Sequence, residues 1–173
     1  MDQFEVRQWP KTSRLLSRCV MSEKLDGSNC CVIVEEDENG YRLGAQTRTK
    51  LATRYDDQLG FYRWVEDNAT TLIEDLGVGY HYGEFVKGKG LAEPHLFLFN
   101  TKRWTGVHFT TPSLKVVPVL FEGEYSQAQL DECVKDLEDN GSRVLATPAE
   151  GVIVFWRDDE TSKKYFCKGK GRK

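Results

Sequence analysis

SEKLDGSNCCVIV, residues 22–34, begins with a lysine beside an acid, passes through a Gly-Ser-Asn turn and runs out into β-branched apolar residues. The apolar end predicts a buried strand over residues 30–36. Lys24 and Asp26 stand two residues apart, so in an extended segment they point to one side. Gly27 lets the backbone come close to a ligand. Two readings of Lys24 follow: an exposed ion pair at a turn, or a nucleophile held at a sheet edge. A free lysine, with a pKa near 10.4, is almost entirely protonated at neutral pH. A nucleophilic one needs desolvation or nearby cations. The chain has such cations in Arg48, Lys168 and Lys170, far away in sequence. Lys-x-Asp-Gly alone is weak, since roughly a few per cent of chains this long contain one by accident.

Working outward, the turn at 37–40 (DENG) predicts a hairpin, with a returning strand over 41–47. The spacing of Leu59, Tyr62, Val65, Leu72, Ile73 and Leu76 predicts helix between residues 55 and 76, broken near Gly60 or Asn68 and stopped at Gly77. Strands are expected at 79–86 and 95–100. Another is expected at 114–121, where Pro118 marks an edge or a bulge. Ser126 and Gln129 predict a capped helix over 126–138, ended by Asn140-Gly141. Strands at 151–156 and 163–168 close the chain. The sum is an α+β domain of mostly antiparallel sheets flanked by a few helices.

Composition agrees with one globular domain. The 173 residues are 39% hydrophobic and 29% charged, and 12% aromatic content argues against disorder. Net charge is −3, so any nucleic-acid contact must be a local basic patch such as residues 163–173. Five cysteines, none in a CxxC pair, point to a reducing, cytoplasmic setting and away from zinc. No apolar run has membrane length, and the polar N-terminus is not a signal peptide. His81, His95 and His108 form no metal-binding spacing and are expected to be structural.

An ordered set of motifs follows Lys24: TRTK at 47–50, YGEF at 82–85, FLFN at 97–100, EGVIV at 150–154 and FCKGK at 166–170. With Lys-x-Asp-Gly, this succession resembles the covalent nucleotidyltransferases, the superfamily of DNA ligases, RNA ligases and mRNA capping enzymes. The likeness spans about residues 20–170. Glu23 before the lysine and Gly-Ser-Asn after Asp26 look most like the RNA ligases that seal nicks in duplex RNA.

That resemblance implies a nucleotidyltransferase (ATP-grasp-like ligase adenylation) fold and a role for each matching residue. Lys24 would attack the α-phosphate of ATP, expel pyrophosphate and hold AMP. Glu23 would help seat adenine, while Asp26 and Gly27 belong to the same nucleotide-binding motif. Arg48 and Glu84 would bind the ribose. Phe99, or Phe97 in the other register, would stack on adenine. Asn100 departs from the family's aspartate at that place. Glu150 would bind the divalent metal, Mg2+ or Mn2+. Lys168 and Lys170 would neutralise the α-phosphate as charge builds. Asn29 would lie beside the 5′-phosphate. Without the resemblance, Glu84 and Glu150 read as strand-edge carboxylates, and Lys168 and Lys170 as a solvated tail.

The implied activity is ATP-dependent joining of a 5′-phosphate to a 3′-hydroxyl, with nicked duplex RNA as the expected partner and RNA repair as the setting. The chain is expected to be a single nucleotidyltransferase domain over residues 1–173 with no appended oligonucleotide-binding-fold or C-terminal domain, and an accessory subunit could supply what is missing. Two alternatives remain: a GTP-using guanylyltransferase of the capping type, and a non-catalytic nucleotide or RNA-end binding module.

Overall fold

A computed structural model describes residues 18–171. The chain forms β1 (Arg18–Lys24), β2 (Ser28–Asp37), β3 (Gly40–Thr47), β4 (Leu51–Ala52), α1 (Phe61–Asp67), α2 (Ala69–Leu76), β5 (Gly79–Val86) and β6 (His95–Leu98). It continues through α3 (Thr101–Trp104), β7 (Leu114–Val116), β8 (Val119–Glu124), α4 (Gln127–Asn140), β9 (Gly151–Trp156) and β10 (Thr161–Phe166). One sheet has the order β10-β9-β1-β8, and the other β4-β3-β2-β5-β6-β7. Every pairing is antiparallel except β6 with β7. The fold is therefore α+β with mostly antiparallel sheets.

Each sheet buries one face under helix. On the six-stranded sheet, Cys30, Val32, Val34, Ala45, Phe85, Leu96 and Leu98 meet Phe61, Trp64, Val65, Leu72 and Leu76 of α1 and α2. On the four-stranded sheet, Cys19, Met21, Val152, Val154 and Trp156 meet Leu130, Cys133 and Leu137 of α4. The alternation along each strand leaves the other faces turned toward one another. A third cluster of Leu25, Val86, Phe97, Val117 and Leu145 holds the sheets together there. The helices match their sequence signals. Ser126 caps α4, its hydroxyl accepting from the Gln129 N–H at 3.1 Å, and Gly141 ends it at φ 80°. Asn68 divides α1 from α2.

One expectation needs correction, and one strand was not anticipated. Residues 114–121 are not one strand: β7 belongs to the six-stranded sheet and β8 to the four-stranded one, and Pro118 stands at the crossing. Proline brings no N–H to a ladder, so the chain leaves one sheet there. Its carbonyl accepts from the Glu23 N–H at 2.9 Å, which ties the crossing to β1. β1 itself carries no clear apolar alternation, yet it is an inner strand with β8 on one side and β9 on the other. No helix among the described residues is long and apolar enough to cross a membrane.

Candidate active site

A cavity of about 420 Å³ opens between the two sheets. Its four-stranded wall is set by register. Lys24 pairs with Gly151, which pairs with Phe166, and one row further along Ser22 pairs with Ile153, which pairs with Lys164. Lys24 thus stands at the end of β1, next to the start of β9. Its Nζ lies 2.9 Å from Oε1 of Glu150 and 5.4 Å from the centre of the Phe166 ring. Gly151 is required at this crossing: a Cβ there would come 2.1 Å from the Tyr165 carbonyl oxygen.

The opposite wall comes from the six-stranded sheet and its loops: Ser28 and Asn29 of β2, Thr47 at the end of β3, Arg48 beyond it, Glu84 of β5 and Phe99 beyond β6. Asn29 and Glu84 are cross-strand partners. Burial pushes the Glu84 carboxyl up to about 7; Lys24 and Arg48 draw it back down, while Glu150 and Asp26 oppose them. Phe97 is buried in the cluster between the sheets, whereas Phe99 lines the cavity, which favours Phe99 as the stacking residue. Asn100 serves as the cap of α3, accepting from the Arg103 N–H at 3.1 Å.

The other expected residues divide. Asp26 pairs with Lys89 at 2.8 Å, and that hydrogen bond holds its carboxyl below the ordinary range, with Lys24 and Lys170 contributing. Gly27 does have a close-approach role, but toward protein: a Cβ would sit 2.5 Å from the Phe85 carbonyl oxygen. Glu23 is 1% exposed, and its carboxylate turns to the α4 side, accepting from the Arg143 N–H at 2.9 Å. Burial raises its pKa, and hydrogen bonds from Ser142 and Arg143 oppose the rise. Lys168 and Lys170 do not line the cavity; they follow β10, and the Lys168 N–H donates to Glu138 of α4 at 2.9 Å. Lys164 does line it, a placement not anticipated above, since a strand KKYF offers two lysines and no mark of which faces in.

No group of three or more His, Cys, Asp or Glu side chains converges among the described residues. Mg2+-type sites commonly use one or two carboxylates together with substrate phosphates. Glu150, with Glu84 across the cavity, fits such a site.

The RNA ligase family model matches residues 17–169. Solved structures of Naegleria gruberi RNA ligase share the fold. The form with PPi has TM-score 0.60 and 18% identity, covering 90% of this chain and 51% of that chain. A mutant with ATP and Mn has TM-score 0.60 and 17% identity over 90% and 50%. A mutant with AMP and Mn has TM-score 0.61 and 15% identity over 90% and 51%. The chain spans about half the length of those proteins. No curated protein matches it. The family model runs from the strand that ends in Lys24 to the glycine between Lys168 and Lys170, and on that match the chain belongs to the RNA ligase family.

Proposed function

We propose that this chain is the nucleotide-transfer unit of an ATP-dependent RNA ligase and that Lys24 is its nucleophile. One observation carries the reading: Lys24 and Glu150 come from opposite ends of the sequence and meet at 2.9 Å in the cavity between the sheets. The ATP, AMP and Mn in the similar solved structures support the choice of nucleotide and metal class.

In the first step the Lys24 amine, freed from its ion pair and proton, attacks the α-phosphorus of ATP. A P–N bond forms, the P–O bond to the β-phosphate breaks and pyrophosphate leaves. A divalent cation at Glu150 and the phosphates would offset charge during that transfer. Arg48 and Glu84 bind the ribose, Phe99 stacks on adenine, and Lys168 and Lys170 neutralise charge on the α-phosphate. In the second step a 5′-phosphate oxygen attacks the same phosphorus and Lys24 is released. In the third a 3′-hydroxyl attacks the activated end and AMP leaves. Asn29, beside Glu84, is assigned to the 5′-phosphate. Glu23 and the Gly-Ser-Asn turn favour a nicked RNA duplex, in which the complementary strand aligns both ends. Five free, buried cysteines support a reducing cytoplasmic setting.

Incubation with ATP and magnesium is expected to give one AMP adduct by intact mass, mapped to Lys24. Glu150→Ala is expected to depress it far more than Asp158→Ala, a charge-loss control in the β9–β10 turn. An adduct on another lysine overturns the assignment, and equal labelling by GTP moves the chain to the capping class.

A further inference from the structure

The cavity holds a cation that the family motifs do not account for. Register fixes its direction. On β10, Tyr165 packs with the α4-side core, so Lys164 and Phe166 face the cavity and Lys163 faces away. Phe166 lies beneath the Lys24 ammonium. Lys164 occupies the next row, across Ile153 from Ser22.

The charges around the cavity are largely paired. Lys24 is engaged by Glu150 and Asp26 by Lys89. Among the described residues Arg48 and Lys164 line the cavity, one on each wall; Arg48 acts on the Glu84 carboxyl, and Lys164 forms no ion pair with a carboxylate. An unpaired ammonium lining the same cavity as the proposed nucleophile suits a phosphate oxygen, to which a charge-assisted hydrogen bond is about twice as strong as a neutral one.

We propose that Lys164 is a phosphate-binding residue of this site, contacting a phosphate that adjoins the one attacked by Lys24. The proposal rests on the ligase reading above. Its ligand is either the departing pyrophosphate portion of ATP or the 5′-phosphate of the strand being activated. Both present the same chemistry, and they belong to different steps.

The test compares Lys164→Gln and Lys164→Arg with Lys163→Gln, which removes the same charge from the outer face of the same strand. Adduct formation is followed against ATP concentration. AMP transfer is followed from pre-adenylylated protein to a 5′-phosphorylated nicked RNA. Inorganic pyrophosphate binding is titrated calorimetrically, a readout that needs no chemistry. Lys164→Gln is expected to lower one step at least tenfold, with Lys164→Arg recovering most of it and Lys163→Gln near wild type. Loss in adduct formation and pyrophosphate binding identifies ATP as the source; loss in transfer alone identifies the 5′-phosphate. If Lys164→Gln matches Lys163→Gln in both steps and in pyrophosphate binding, the proposal fails. If the wild-type chain forms no adduct yet loses pyrophosphate affinity on Lys164→Gln, the ligase reading fails and the phosphate site stands.

Discussion

At the scale of single residues, the site combines groups that chain distance hides. Glu84 shows what that convergence does. Its carboxyl belongs near 4.3 when unfolded and sits near 7 in the fold, raised first by burial. Folding then binds a proton in that interval. The stabilisation is complete below about pH 4.3 and is lost as pH rises through about 7. Glu84→Gln, which does not titrate, is expected to be the more stable protein at pH 8 by at most about 3 kcal/mol and to lose that advantage at pH 4, as read by urea denaturation. A difference that is flat with pH removes the shifted carboxyl. Lys24, Arg48, Glu84 and Glu150 were legible as a set only because motif order resembles a known family; no local pattern puts them together. The direction of the Glu23 carboxylate was not legible, because it depends on Arg143 far along the chain. Lys164 was hidden for a similar reason: which of two adjacent lysines faces in depends on the core that Tyr165 joins.

At the scale of elements, strands with strong alternation or clean turn signals were readable: β2 and β3 around their hairpin, β5, β9 and the capped α4. β1 escaped because Arg18, Ser22 and Glu23 break its apolar run, and only its neighbours β8 and β9 make it an inner strand. The break at Pro118 was visible, but its meaning was not, since a proline marks a departure without naming the sheet that receives the chain. The close crossing of β9 and β10 gives a sharp test. Gly151→Ala puts a methyl carbon against the Tyr165 carbonyl, which is backbone and cannot rotate away. β10 must move, carrying Phe166 from its place beneath Lys24 and Lys164 from its place on the cavity wall. A loss of about 3 kcal/mol is expected, together with loss of the AMP adduct. Gly44→Ala serves as control, because its added carbon meets Ile33 at an ordinary 3.4 Å. Equal behaviour of the two variants would show that the crossing does not set the site.

At the scale of the whole molecule, two sheets, each backed by helix, enclose the chemistry, and a polynucleotide must come to them from outside. Net charge is −3, so the chain does not attract RNA by its total field. Two basic residues of the surrounding loops are already paired: Lys50 with Asp56 at 2.7 Å and Lys89 with Asp26 at 2.8 Å. In the proposed reaction the first step would use ATP and groups inside the cavity, where ions screen weakly. The proposed later steps would depend on phosphate contacts at the surface, whose affinity falls steeply with salt. Raising salt from about 50 to 200 mM is therefore expected to leave adduct formation within roughly twofold while cutting AMP transfer to a nicked RNA duplex at least tenfold. Two free single strands are expected to join more slowly than a nick at every salt concentration, because nothing aligns their ends. The measurement is parallel single-turnover assays of lysine adenylylation, AMP transfer and joining. Faster joining of free strands than of nicks overturns the duplex assignment. A transfer step as salt-tolerant as the first means that RNA is held by something other than exposed phosphate contacts.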